Sequence, residues 1–128
     1  MKQLNGSPLP CVVLACSGSS DVGEIADRAA RKLERLGIAQ MHCLAGIGGH
    51  VSAIEEATKA APVVIVLDGC SQCCGTKTLE SAGISDALHV DLSEFGIQKG
   101  ESPVSEMLIN RVVDRVAIML RERMASLN

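Results

Sequence analysis

The stretch Val63-Val64-Ile65-Val66-Leu67-Asp68-Gly69-Cys70 decides how the rest of the chain is read. Its first five residues are apolar without alternation, and all but Leu67 are β-branched. Such a run suits a strand covered on both faces, which is the situation of a central strand in a parallel sheet. Pro62 prevents a helix from running into it.

Upstream, Cys11–Ala15 is a second short apolar run, set off by Pro10 and Gly18, and reads as a buried strand. A helix follows, with Asp21 and Glu24 spaced as a capping box. Its apolar face is Val22, Ile25, Ala26, Ala29, Ala30, Leu33 and Leu36. Arg28, Arg31, Lys32 and Arg35 form a solvated face, and Gly37 closes the helix. Residues 38–44 are a further strand, interrupted by Gln40 and His42. Gly46, Gly48 and Gly49 then make a flexible loop, and Ser52 with Glu55 caps a helix to about Ala60.

Downstream, residues 76–82 are a short helix ended by Gly83, and residues 87–92 a fourth strand. Residues 93–101 are a loop. The last helix is expected to start near Ser102 with Pro103 at its first position. Val104, Leu108, Val112, Val116, Leu120 and Met124 form its core stripe, which Ile109 and Val113 widen toward deeper burial.

Strands alternating with helices imply a parallel sheet with right-handed crossovers. The expectation is one α/β domain over residues 1–128. It has three layers and a four-stranded parallel sheet in the order 2-1-3-4, the doubly wound arrangement of Rossmann and flavodoxin-like folds.

Composition narrows the function. The chain has 128 residues, 47% of them apolar, enough for one core without a staple. Its 21% of charged residues are mixed in sign and sum to −3, unlike the concentrated basic face of a nucleic-acid binder. One Phe and no Tyr or Trp leave almost nothing for bases to stack on. No stretch approaches the ~20 apolar residues of a membrane span, and residues 1–10 do not read as a signal peptide. The expected location is the cytoplasm. Six cysteines in a reducing compartment point to metal binding or redox work in place of structural disulfides.

Their placement is informative. Cys16 follows the first strand, Cys43 ends the second, and Cys70, Cys73 and Cys74 lie in the loop after the third. Parallel strands share a carboxyl edge, so these thiols converge there, at the crevice where open α/β sheets place ligands. Cys11, at the opposite end of the first strand, is an ordinary buried thiol. Convergent thiolates suit tetrahedral zinc. Spacing around Cys70 allows a C-x-x-C pair with Cys73 or an i, i+4 pair with Cys74, and leans toward the first.

Other polar residues carry weaker signals. Asp68 is a candidate hydrogen-bond partner for a ligand or the loop backbone, or simply part of an Asp-Gly turn. On strand alternation His42 points away from Cys43. His50 follows the glycines and either approaches the site or is simply a loop histidine, His89 is a tolerated core or surface residue in mid-strand, and Lys77 either offsets thiolate charge or faces solvent. The Ser17-Gly18-Ser19-Ser20 loop caps a helix and orients Cys16; Val22 stands where a C-x5-R phosphatase loop needs arginine. No catalytic residue is assigned.

Together these motifs resemble the DGC domain family, named for the tripeptide present here as Asp68-Gly69-Cys70. The resemblance runs from Cys16-Ser17-Gly18, Val22-Gly23 and Ala29-Ala30 through Cys43-Leu44-Ala45-Gly46-Ile47-Gly48-Gly49-His50 and Leu67-Asp68-Gly69-Cys70. It continues with Thr78-Leu79-Glu80 and Gly83 to Phe95-Gly96-Ile97 and Lys99, and so covers nearly the whole chain. It implies a zinc-binding protein of otherwise unknown function whose ligands are Cys16, Cys43, Cys70 and Cys74. Cys73 then becomes a spare thiol, an alternative ligand or a resolving cysteine. Two alternatives use the same thiols: a thiol–disulfide enzyme built on Cys70 and Cys73, and an iron–sulfur cluster.

Overall fold

Four parallel strands make one sheet in the order β2-β1-β3-β4: β1 (Cys11–Ala15), β2 (Gln40–Met41), β3 (Val63–Asp68) and β4 (Leu88–Asp91). The structure is a computed structural model that describes residues 9–127. Residues 1–8, most of the stretch read against a signal peptide, lie outside the described residues.

Alternation along the two central strands divides the interior into two cores. Cys11, Val13, Ala15, Val63, Ile65 and Leu67 pack with α1 (Asp21–Arg35) and α5 (Glu106–Ser126). Val12, Leu14, Val64 and Val66 pack with Ile47, Leu79 and Ile84, under α2 (Leu44–Gly48), α3 (Ser52–Ala60) and α4 (Cys74–Ser81). The result is the expected three-layer α/β sandwich. Both central strands are buried along their whole length, which explains their unbroken apolar sequence.

The widened stripe of α5 is buried: Leu108, Ile109, Val112, Val113, Val116 and Leu120 all face the core. The cations of α1 do form a solvated face, with ion pairs Arg28–Glu24 at 2.8 Å and Arg31–Asp27 at 2.7 Å. Lys32 additionally reaches Asn110 and Glu106 on α5. No described helix is long and apolar enough to cross a membrane.

Several boundaries differ from expectation, each for a local reason. The second strand is two residues long, because the Cys43 carbonyl already accepts from the Gly46 and Ile47 amides and starts a helix. The glycine loop is therefore α2. Gly46 is there for close approach, since a Cβ would overlap Ile54 Cδ1 of α3. The α3 capping box does not form: Val51 is the N-cap, and Glu55 accepts from His50 Nδ1 at 2.8 Å instead. Helix α4 begins at Cys74, two residues early, with Cys73 as its N-cap. Residues 92–95 form a single 3-10 turn capped by Asp91.

The remaining two differences share a cause. Ser20, and not Asp21, caps α1, accepting from the Gly23 amide at 3.2 Å. Asp21 instead accepts the amides of Gly100 at 2.9 Å and Ser102 at 3.0 Å. With Ser102 held there, α5 starts only at Glu106, and Ser105 supplies its cap through Leu108 N.

The Gly100 and Ser102 hydrogen bonds hold the Asp21 carboxyl below the ordinary aspartate range. A lowered folded value means a contribution present in full above the unfolded pKa and lost as pH falls through the folded one. Asp21→Asn should therefore lower the urea midpoint at neutral pH, and the gap from wild type should close in acid. An unchanged gap at low pH would show that the charge of Asp21 is not what holds the loop.

Candidate metal centre

Asp68 closes β3 and is buried, 1% exposed. A carboxylate there must find donors or cost several kcal/mol. It finds them on α4. Oδ1 accepts from Gly75 N at 2.7 Å; Oδ2 accepts from Thr76 N at 3.2 Å and Thr76 Oγ1 at 2.8 Å. His89 Nε2 lies 3.1 Å from Oδ2. The charge sits at the amino end of α4, where the exposed amides of a helix favour an anion. Asp68 is thus a buried backbone anchor and not a turn residue.

The register explains why His89 arrives. β3 and β4 pair Val66 with His89 and Asp68 with Asp91. Val66 belongs to the α4 core, whereas Val90 belongs to the α1 and α5 core. His89 therefore leans to the same side as Asp68. Reading β4 from the partner strand's alternation would have found it; reading it alone gave only an isolated mid-strand histidine.

Cys73 completes the group. It is one of three non-glycine residues at positive φ among the described residues, with φ 56° and ψ 44°, a conformation costing about 1–2 kcal/mol for an L-residue. The turn is held by Cys73 N donating to Cys70 O at 3.2 Å and Lys77 N donating to Cys73 O at 2.9 Å. In this pose the potential ligand atoms of Asp68, Cys73 and His89 all lie within 4.8 Å of one another. Desolvation, then the charges of Asp68 and Asp91, push the Cys73 thiol up, while Lys77 pulls it down. Lys77 itself is exposed.

The other cysteines sit around this group and are not members of it. Cys16 is half-buried beyond β1, its Sγ accepting from Gly69 N at 3.3 Å. Cys43 is exposed at the start of α2, and Cys74 exposed at the start of α4. Cys70 is half-buried in the turn before Cys73. Cys11 is a buried thiol in the α1 core, and burial raises its pKa.

Cys16 and Cys43 share a cavity of about 600 Å³ over the ends of β1 and β2, with Asp27, Arg31 and Glu34 on its α1 wall. His42 lines it too. His42 Nδ1 pairs with the buried Thr58 Oγ1 at 2.8 Å, and burial lowers its pKa. His50 is exposed and paired with Glu55, outside the site.

Comparison with known proteins agrees with the motifs. The family model of the DGC domain matches residues 12–116. The "Anaerobic and virulence modulator AnvM" of Pseudomonas aeruginosa is 38% identical over 92 residues, 72% of this chain and 70% of that protein. No solved structure matches.

Gly69 joins the two sides of the edge: a Cβ there would lie 2.8 Å from Val22 C and 2.9 Å from Val22 O. Those are backbone atoms and cannot swing away. Gly69→Ala should cost about 1–3 kcal/mol, the range for overpacking, seen as a lower melting temperature. Gly18→Ala, with nothing within 4 Å of the new carbon, should change it little. Equal effects of the two would remove close approach as the reason for Gly69.

Proposed function

The chain belongs to the DGC domain family, and from that premise and the geometry of the sheet edge we propose that it is a metal-binding protein whose ion is zinc. The observation that carries this reading is the gathering of Asp68, Cys73 and His89 within 4.8 Å, on an edge that also bears Cys16, Cys43, Cys70 and Cys74. Thiolate, imidazole and carboxylate are the donors zinc takes, in tetrahedral sets. The family resemblance names Cys16, Cys43, Cys70 and Cys74 as ligands; the geometry brings Cys73 forward as a fifth candidate.

Metal handling or sensing suits the edge better than a purely structural ion. Structural zinc is enclosed by its ligands, whereas Cys43 and Cys74 are exposed. Six unpaired cysteines fit a reducing compartment such as the cytoplasm.

A second reading, a thiol–disulfide enzyme, draws on the turn that joins Cys70 to Cys73. Its difficulty is electrostatic. A reactive thiol needs a lowered pKa, and that of Cys73 is raised by desolvation and by Asp68 and Asp91.

Elemental analysis of untagged protein, with Cys→Ser variants at 16, 43, 70, 73 and 74, decides between them. The expected result is about one zinc per chain, as for a single tetrahedral site, lost in the variants that remove ligands and kept in those that do not. Brown protein with visible absorbance would replace zinc by an iron–sulfur cluster. Metal-free protein carrying a Cys70–Cys73 disulfide would sink the metal reading.

A further inference from the structure

We propose that His89 is a ligand of the bound metal alongside Cys73, and that Asp68 is the positioning residue that orients the His89 ring. The site is then a mixed imidazole–thiolate centre, whereas the family resemblance implies cysteines alone. The inference rests on the metal-binding reading above and adds its ligand chemistry.

Three independent features converge on this assignment. The first is proximity: His89, Cys73 and Asp68 present their donor atoms within 4.8 Å of one another.

The second is the division of labour between Asp68 and His89. A carboxylate has about four acceptor sites. Asp68 uses three of them on Gly75 N, Thr76 N and Thr76 Oγ1, and His89 Nε2 lies 3.1 Å from its Oδ2. It is 1% exposed and serves the backbone of α4, so withdrawing it to bind a cation would strip that helix start of its acceptor. A carboxylate so engaged orients a ligand in preference to being one. With Nε2 beside Asp68, Nδ1 is the ring nitrogen left for a metal. Metal-binding histidines commonly hold their second nitrogen on a carboxylate in this way, which fixes the tautomer and raises ligand basicity. The His89 side chain is 34% exposed, so a metal can reach the ring from solvent.

The third is the strained backbone at Cys73. Left-handed geometry at a cysteine is unfavourable and is retained where the surroundings over-determine it. Here it sets the thiol beside the imidazole, inside the 4.8 Å group of donor atoms.

The test uses Co(II) and Zn(II) on the full chain, with affinity from chelator competition and ligand type from the Co(II) visible spectrum. His89→Gln should weaken both ions by at least about 10-fold, the lower end for disturbing a histidine ligand or its support, and should alter the Co(II) d–d bands. Asp68→Asn should weaken binding by about 10–100-fold while leaving sulfur-to-cobalt charge transfer at its wild-type intensity. Should Asp68→Asn fail to fold, His89→Ala with added imidazole carries the test: imidazole should restore affinity and bands, which a merely structural histidine would not do. Wild-type affinity and spectrum in His89→Gln, with binding lost on replacing Cys16, Cys43, Cys70 or Cys74, would overturn the mixed site and leave metal binding intact. No uptake of either ion by the wild-type chain would overturn both.

Discussion

A single buried carboxylate organises the carboxyl edge of this sheet. Asp68 is carried inside by β3, and its charge is tolerated only because α4 starts where Gly75 and Thr76 can donate to it and because His89 approaches from β4. Charge-assisted hydrogen bonds of this kind are roughly twice as strong as neutral ones, and losing one partner of a buried charge costs far more than the pair adds. The start of α4, the lean of β4 and the position of Cys73 are therefore one coupled arrangement. Folding and site assembly are the same event here.

The tripeptide Asp68-Gly69-Cys70 follows from that constraint residue by residue. Asp68 holds α4. Gly69 passes against the backbone of Val22 and Gly23 with no room for a side chain, and its amide reaches Cys16 Sγ. Cys70 opens the turn whose carbonyl takes the Cys73 amide. One short motif thus ties the loop after β1 to the loop after β3. Gly75 adds a related demand: a Cβ would come within 2.7 Å of Asp68 Oδ1 and 2.6 Å of Val66 Cγ2, so the helix start is packed onto the carboxylate it serves.

Most of the fold was legible from periodicity. The unbroken β-branched run at residues 63–67, the helical stripes of α1 and α5 and the alternation of strand with helix led to the observed strand order. What stayed hidden was set by tertiary partners. Ser20 and Asp21 exchange roles at α1 because the chain near Gly100 returns to claim Asp21. The helix at residues 44–48 was masked by its own glycines, one of which is small to admit Ile54. At the site, cysteine spacing located the edge, while His89 was passed over because its significance lies in register with β3 and has no signal along β4 itself.

That difference bears on how the edge divides its chemistry. Cys16 and Cys43 open into the cavity over β1 and β2, whereas Cys73 and His89 stand over β3 and β4 beside Asp68. Gly69, next to Asp68 in the chain, donates its amide to Cys16 Sγ across the gap between them. A set drawn from Cys16, Cys43, Cys70 and Cys74 gathers its thiols from the ends of β1, β2 and β3, with Cys43 and Cys74 exposed at the starts of α2 and α4. The Asp68–His89 pair is held by the sheet ladder and by α4. The proposed centre on His89 and Cys73 would therefore begin from geometry that folding has already set.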